Sequence, residues 1–216
     1  MRLIIRDVFG DNFSFAEFFK KKTFWLIVGL IFLIVFLVSV SLKAVDNNRN
    51  IILPKSFLDA RFSAALVSRR IAELTSGTSK QIEGINIYDL KGKGFQALAL
   101  VKEAKENNEI TYKEAVQLSN SLEQMAISLS DLPPGKSQRK AYEAVAIELS
   151  LVSEFIRYTQ NLNDFLEKLD RAISLNNESV RKDVYDALSK VNKSTDEINK
   201  LNSRFVAKMK EFDDSL

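Results

Sequence analysis

The stretch Glu178 to Phe212, ESVRKDVYDALSKVNKSTDEINKLNSRFVAKMKEF, sets Val184, Leu188, Val191, Thr195, Ile198, Asn202, Phe205, Met209 and Phe212 at alternating steps of 3 and 4. Side chains at that spacing share one face of an α-helix, and an alternating step is the seam of a coiled-coil-like contact. Charged residues fill the positions between, and no Gly or Pro interrupts the run. An apolar stripe on an otherwise charged helix is stable only against another stripe. The stretch therefore predicts a long helix and at least one helical neighbour. Thr195 and Asn202 are polar members of the seam. They either fix register and partner number or mark a partly wet side.

The neighbours lie upstream. Asn176-Asn177 reads as the break before this last helix. Ahead of it, Ser137 to Leu175 reads as a long helix with Tyr142, Val145, Leu149 and Val152 inward in its first half. Phe155, Tyr158, Leu162, Phe165, Leu169 and Ala172 follow in its second. Val152, Phe155 and Tyr158 are two successive steps of 3, a stammer that predicts a shift of the apolar face. Pro133-Pro134-Gly135 is the hardest stop in the chain. Before it, Thr111-x-x-Glu114 is a capping box opening a helix with Ala115, Leu118, Leu122, Met125, Leu129 and Leu132 inward. Asn107-Asn108 reads as the end of a shorter helix from Phe95, with Leu98, Val101 and Ala104 inward.

Residues 84–94, GINIYDLKGKG, predict the turn before that helix. Their glycines and lysines lack the order of a phosphate-binding loop, and no strand precedes them. The first helix is expected from Phe57 to Ile85. Ser56-x-x-Asp59 would cap it, Gly77 would weaken it, and Phe57, Ala60, Ala64, Val67, Ile71, Leu74, Thr78, Gln81 and Ile85 would form its seam. The fold class is all-α: an antiparallel helical bundle with coiled-coil-like seams over 56–216.

Ahead of the bundle, TFWLIVGLIFLIVFLVSVSL runs from Thr23 to Leu42 without a charge. About 20 apolar residues cross a hydrocarbon core of about 30 Å as a helix. The sequence thus divides into a short basic tail (1–22), a transmembrane signal anchor (23–43), a polar linker (44–55) and the bundle. The tail holds Phe9, Phe13, Phe15, Phe18 and Phe19 and reads equally as an interfacial segment or an unstructured end. Lys20-Lys21-Lys22 abuts the span, Trp25 sits at its entry, and basic residues are retained on the cytoplasmic side. The expected topology is a cytoplasmic N-terminus with the bundle outside the cytoplasm. Ser39-Val40-Ser41 is a small-x-small pattern, as at a cleavage site. The length of the apolar run and Lys43 favour an uncleaved anchor.

Composition narrows the chemistry. The 216 residues include no Cys and no His, so thiolate and imidazole chemistry are excluded. Five basic and three acidic residues precede Thr23, which leaves 26 basic against 25 acidic for the rest. A near-neutral domain has no field to gather nucleic acid. Glu143 with Glu148, or Asp164 with Glu167, are the candidate carboxylate pairs, but they alternate with Lys and Arg as solvated faces do. Phe155, Tyr158 and Phe165 would line a pocket or, more simply, a core.

No catalytic, cofactor-binding or metal-binding residue is expected. The expectation is a non-catalytic, membrane-anchored interaction or scaffold protein of the cell envelope, with the lipid bilayer and another protein or a second copy as partners. Within it the last helix either carries the interaction surface or completes the bundle. The alternative is an extracytoplasmic sensory bundle that binds a ligand and signals through a separate partner. A wall- or lipid-processing enzyme is disfavoured by the missing residues.

Overall fold

The structure, a computed structural model, describes residues 53–175 and 178–215. The tail, the span with Ser39–Ser41, most of the linker and the Asn176-Asn177 break lie outside the described residues. Among the described residues no helix is long and apolar enough to cross a membrane. They form four helices with no strand among them: α1 (Lys55–Leu90), α2 (Gly94–Ser128), α3 (Lys136–Leu175) and α4 (Glu178–Asp213). A 3-10 turn, Leu129–Asp131, follows α2.

The sequence predicts five helices and four form: part of the turn expected over 84–94 is absorbed into a helix, and so is the Asn107-Asn108 break, whose loss merges two of the five. The first helix starts at Lys55, two residues before the expected Phe57: Leu58 N–H donates to Pro54 O at 3.1 Å, which puts Ser56 inside the first turn. α1 then runs through both Gly77 and Gly84. Gly84 is in the helix, not in the turn. A Cβ there would stand 2.6 Å from Leu100 Cδ1, so the missing side chain admits a close approach of α2. The turn is confined to Lys91, Gly92 and Lys93. Gly92 has φ 69°, its N–H donates to Asp89 O at 2.8 Å, and Lys93 N–H donates to Tyr88 O at 2.9 Å. That is a Schellman cap, which requires the left-handed conformation that glycine adopts without strain.

The second absorbed interruption is Asn107-Asn108 with Thr111. All three lie inside α2. Asn107 Nδ2 donates to Gln81 Oε1 at 3.0 Å, and Asn108 Nδ2 donates to the buried Thr159 carbonyl at 2.8 Å. Thr111 Oγ1 donates to Asn107 O one turn back at 2.7 Å. Residues that resemble caps are here satisfied by neighbouring helices and by their own helix. The proline stop forms as expected. Leu132 is extended at φ −76°, ψ 143°, as a residue before proline must be. Gln138 Nε2, from the first turn of α3, donates to Leu129 O at 2.9 Å and Leu132 O at 3.1 Å and so closes the end of α2.

The described residues divide into two units. Unit 1 comprises 53–72, 113–156 and 197–215, and unit 2 comprises 73–112, 157–175 and 178–196. Each is a bundle of four helical segments, one from every helix. In unit 1, Ser63 meets Ser121 at 3.3 Å and Arg70 meets Glu114 at 3.0 Å, so α1 and α2 are antiparallel. Lys208 meets Glu143 at 3.3 Å and Lys140 donates to Glu211 O at 3.0 Å, so α3 and α4 are antiparallel too. The rings of Phe57 and Phe212 meet edge to face, with centroids 6.1 Å apart. In unit 2, Lys105 pairs with Asp170 at 2.8 Å and Asn161 Nδ2 donates to Ser194 Oγ at 3.0 Å.

Burial corrects the seams. In α1 the buried stripe is Phe57, Arg61, Ala64, Ser68, Ile71, Thr75, Thr78, Ile82 and Ile85. The expected members Ala60, Leu74 and Gln81 each lie one residue early and are only half-buried. In α3 the stripe is Val145, Glu148, Val152, Phe155, Thr159, Leu162, Leu166 and Leu169, while Tyr142 is exposed. All six residues expected inward in its second half are buried too, so the buried face there is wider than one seam, and the row through Glu148 and Thr159 alternates 4 and 3 beside the expected stammer. Polar residues occupy positions that a search for apolar spacing passes over. The seam of α4 is buried as expected, apart from half-buried Asn202.

Candidate functional site

Three ionisable side chains lie in unit 1, each from a different helix: Arg61 approaches Asp213, and Glu148 is near enough to Arg61 to act on it electrostatically. Arg61 sits between Phe57 and Ala64 on the inner face of α1, and its side chain is 0% exposed. Its Nε, Nη1 and Nη2 have no hydrogen-bond acceptor within reach. Asp213, the last residue of α4, places Oδ1 at 3.8 Å from Arg61 Nη1, with its side chain 18% exposed. Glu148, between Val145 and Val152 on α3, is 1% exposed, and neither carboxyl oxygen has a hydrogen-bond partner.

The electrostatics follow from burial. Desolvation pushes the Glu148 carboxyl up to about 8, and the attraction of Arg61 only partly opposes it. Desolvation also pulls Arg61 below its ordinary value, while Asp213 and Glu148 push it back. A guanidinium keeps its proton in any folded protein, so Arg61 remains the cation of the cluster.

Beside Glu148 lies a cavity of about 20 Å³ lined by residues that include Ile71, Leu118, Val152, Phe155 and Ile198. It has room for one water-sized molecule. Ser68 and Glu148 are the polar members of its lining, and the rest is hydrocarbon.

The other candidates separate. Glu143 and Glu148 do not form a pair: Glu143 is on the surface with Lys208, and Glu148 is in the core. Lys208 is held above its ordinary value by hydrogen bonds to Glu211 and Glu143. Asp164 pairs with Lys168 at 2.6 Å and Glu167 accepts from Asn163 at 3.0 Å, both within α3. Phe155, Tyr158 and Phe165 are buried core residues, and burial pushes the Tyr158 phenol up to about 12. Thr195 turns its hydroxyl to Val191 O of its own helix at 2.9 Å, so its hydroxyl is satisfied within α4. The interhelical polar contact beside it comes from Ser194. Phe205, Met209 and Phe212, the expected contact surface of the last helix, are buried inside unit 1.

Among the described residues no three acidic side chains are placed to hold a metal ion. Apolar spacing passed over Arg61, Glu148, Asn108 and Ser194. The alternation of 3 and 4, followed through a polar or charged residue, finds Arg61, Glu148 and Asn108, whereas Ser194 lies one position off the α4 seam. No family model matches the chain, and none of the curated proteins or solved structures compared with it is significantly similar.

Proposed function

We propose that the chain is a membrane-anchored, non-catalytic interaction protein of the cell envelope, held by residues 23–43 with its N-terminus cytoplasmic and its helical domain outside. The charge-free run with Lys20 to Lys22 before it supports the anchor and its direction. The observation that carries the interaction role is on α1. Phe62 and Leu66 stand one turn apart on the face opposite the seam, 57% and 54% exposed. An apolar pair on an outer helix face is the anchor a partner helix or a second copy would cover. The carboxylates read as candidate pairs are either buried singly or engaged with Lys or Asn, which supports the non-catalytic reading. The 20 Å³ cavity gives no support to a ligand sensor, since small-molecule pockets run to about 300 Å³ or more.

The test is cross-linking of the full chain in native membranes, with Phe62→Ser and Leu66→Ser combined. The double variant should remain membrane-bound and helical and lose its cross-linked adduct. An adduct that survives the change refutes the face. Release of the protein from membranes by alkaline carbonate refutes the anchor.

A further inference from the structure

The turn between α1 and α2, in unit 2, carries apolar side chains that the core does not use. Leu90 is the last residue of α1 and Phe95 the second of α2. Both are exposed, and Phe95, at 84%, is the most exposed large apolar side chain among the described residues. Helix ends that fray would show such side chains, but these ends are closed. Gly92 N–H donates to Asp89 O, Lys93 N–H to Tyr88 O, and Ala97 N–H to Lys93 O at 3.1 Å, so the backbone is held on both sides. A Cβ at Gly94 would meet Ile173 Cγ2 at 3.9 Å, which places the turn beside the last turn of α3. Leu175, which ends that helix, is exposed as well.

The charge around these side chains has one sign. Residues 90–96 and 171–175 hold exposed Lys91, Lys93 and Arg171 and no acidic residue. The acids next to them are engaged: Asp170 pairs with Lys105 at 2.8 Å, and Asp89 is buried with a partner of its own. On α4, exposed Lys182 and Asp183 cancel. A stable protein interface takes about 800 Å² and about 20–30 residues from each partner, and it disfavours lysine. A single turn supplies neither that area nor that composition. A bilayer asks for less. A few apolar side chains reach the acyl boundary, lysine stems lie along hydrocarbon, and their ammonium groups stay with anionic headgroups.

We propose that this end of unit 2 is a membrane-docking tip: Leu90, Phe95 and Leu175 enter the acyl boundary of an anionic bilayer, and Lys91, Lys93 and Arg171 engage its phosphate headgroups. The contact is peripheral, and it is separate from the anchor proposed at 23–43 and does not depend on it.

The experiment uses the full chain in nanodiscs of phosphatidylcholine, titrated with vesicles of brominated phosphatidylcholine that do or do not contain phosphatidylglycerol. Trp25 is the only tryptophan, so Trp25→Phe with Phe95→Trp places a single indole at the tip. Its emission should shift to shorter wavelength and be quenched by bromine only when phosphatidylglycerol is present. Each lysine at an anionic surface strengthens binding about fivefold, so adding Lys91→Gln and Lys93→Gln should raise the vesicle concentration for half-quenching on the order of twenty-five-fold. Adding Leu90→Ser should raise it too. These side chains are exposed, so circular dichroism should be the same for every variant. No quenching by either vesicle overturns the proposal, as does equal quenching with and without phosphatidylglycerol, or an unchanged midpoint in the glutamine variant. A blue shift that grows with protein concentration before vesicles are added shows a second copy covering the tip, and overturns it too. Release of the chain from its nanodisc would count against the anchor alone, since the indole is read against the added vesicles.

Discussion

At the scale of single residues, the two mid-helix glycines of α1 look alike in sequence and differ in what surrounds them. A Cβ at Gly77 would meet only Asn107 Nδ2, at an ordinary 3.6 Å, whereas one at Gly84 would stand 2.6 Å from Leu100 Cδ1. Replacing an interior helical glycine by alanine gains about 0.8–1 kcal/mol of helix propensity. Gly77→Ala should therefore stabilise the protein by about 0.5–1 kcal/mol. Gly84→Ala should gain markedly less, or lose, because Leu100 must leave its rotamer first. Paired denaturation curves of the two variants measure the difference. Equal stabilisation would mean that α2 does not approach α1 at Gly84. Glycine 77 was legible as a weak point in the helix, but the contact that makes Gly84 a packing residue belongs to a neighbour 16 positions on, which local spacing does not see.

At the scale of elements, the helices that sequence marks most clearly are those whose seams are apolar throughout. The α4 seam was legible residue by residue, and so was the proline stop after α2, since both depend on local pattern. The continuity of α2 was not. Asn108 and Thr111 carry the signature of a helix end, and only the Thr159 carbonyl of α3, 2.8 Å from Asn108 Nδ2, shows why the helix continues. Parts of the α1 seam and of the first half of α3 were misplaced by one residue for a related reason. Arg61 and Glu148 hold core positions, and a reading that rejects charge there moves to Ala60 and Leu149. The two accounts of Asn108 make opposite predictions. As a helix end, Asn108→Ala would raise helical content. As a buried interhelical donor, its loss should leave helical content unchanged and cost about 1–2 kcal/mol. Circular dichroism with denaturant titration decides between them, and a gain in ellipticity would restore the break.

At the scale of the whole molecule, the question is which part the fold can spare for a partner. The last helix is a natural candidate from its sequence, with Phe205, Met209 and Phe212 ending a long seam. Yet α4 supplies buried Val184, Leu188 and Val191 to unit 2 and buried Ile198, Phe205, Met209 and Phe212 to unit 1. Each large apolar side chain contributes roughly 1.5–3 kcal/mol when fully buried, so these seven together match or exceed the roughly 5–15 kcal/mol that stabilises an ordinary domain. Neither unit can lose α4 and keep a closed core, and any partner surface has to come from faces that the core does not use. A chain truncated after Asn177 should therefore lose cooperative unfolding altogether, with exchange protection falling in α1, α2 and α3 alike. Thermal melts and hydrogen exchange of the truncated chain read this directly. A truncated chain that still melts cooperatively, with protected α1 to α3, would show that α4 is dispensable to the core and return it to the role of a detachable interaction helix.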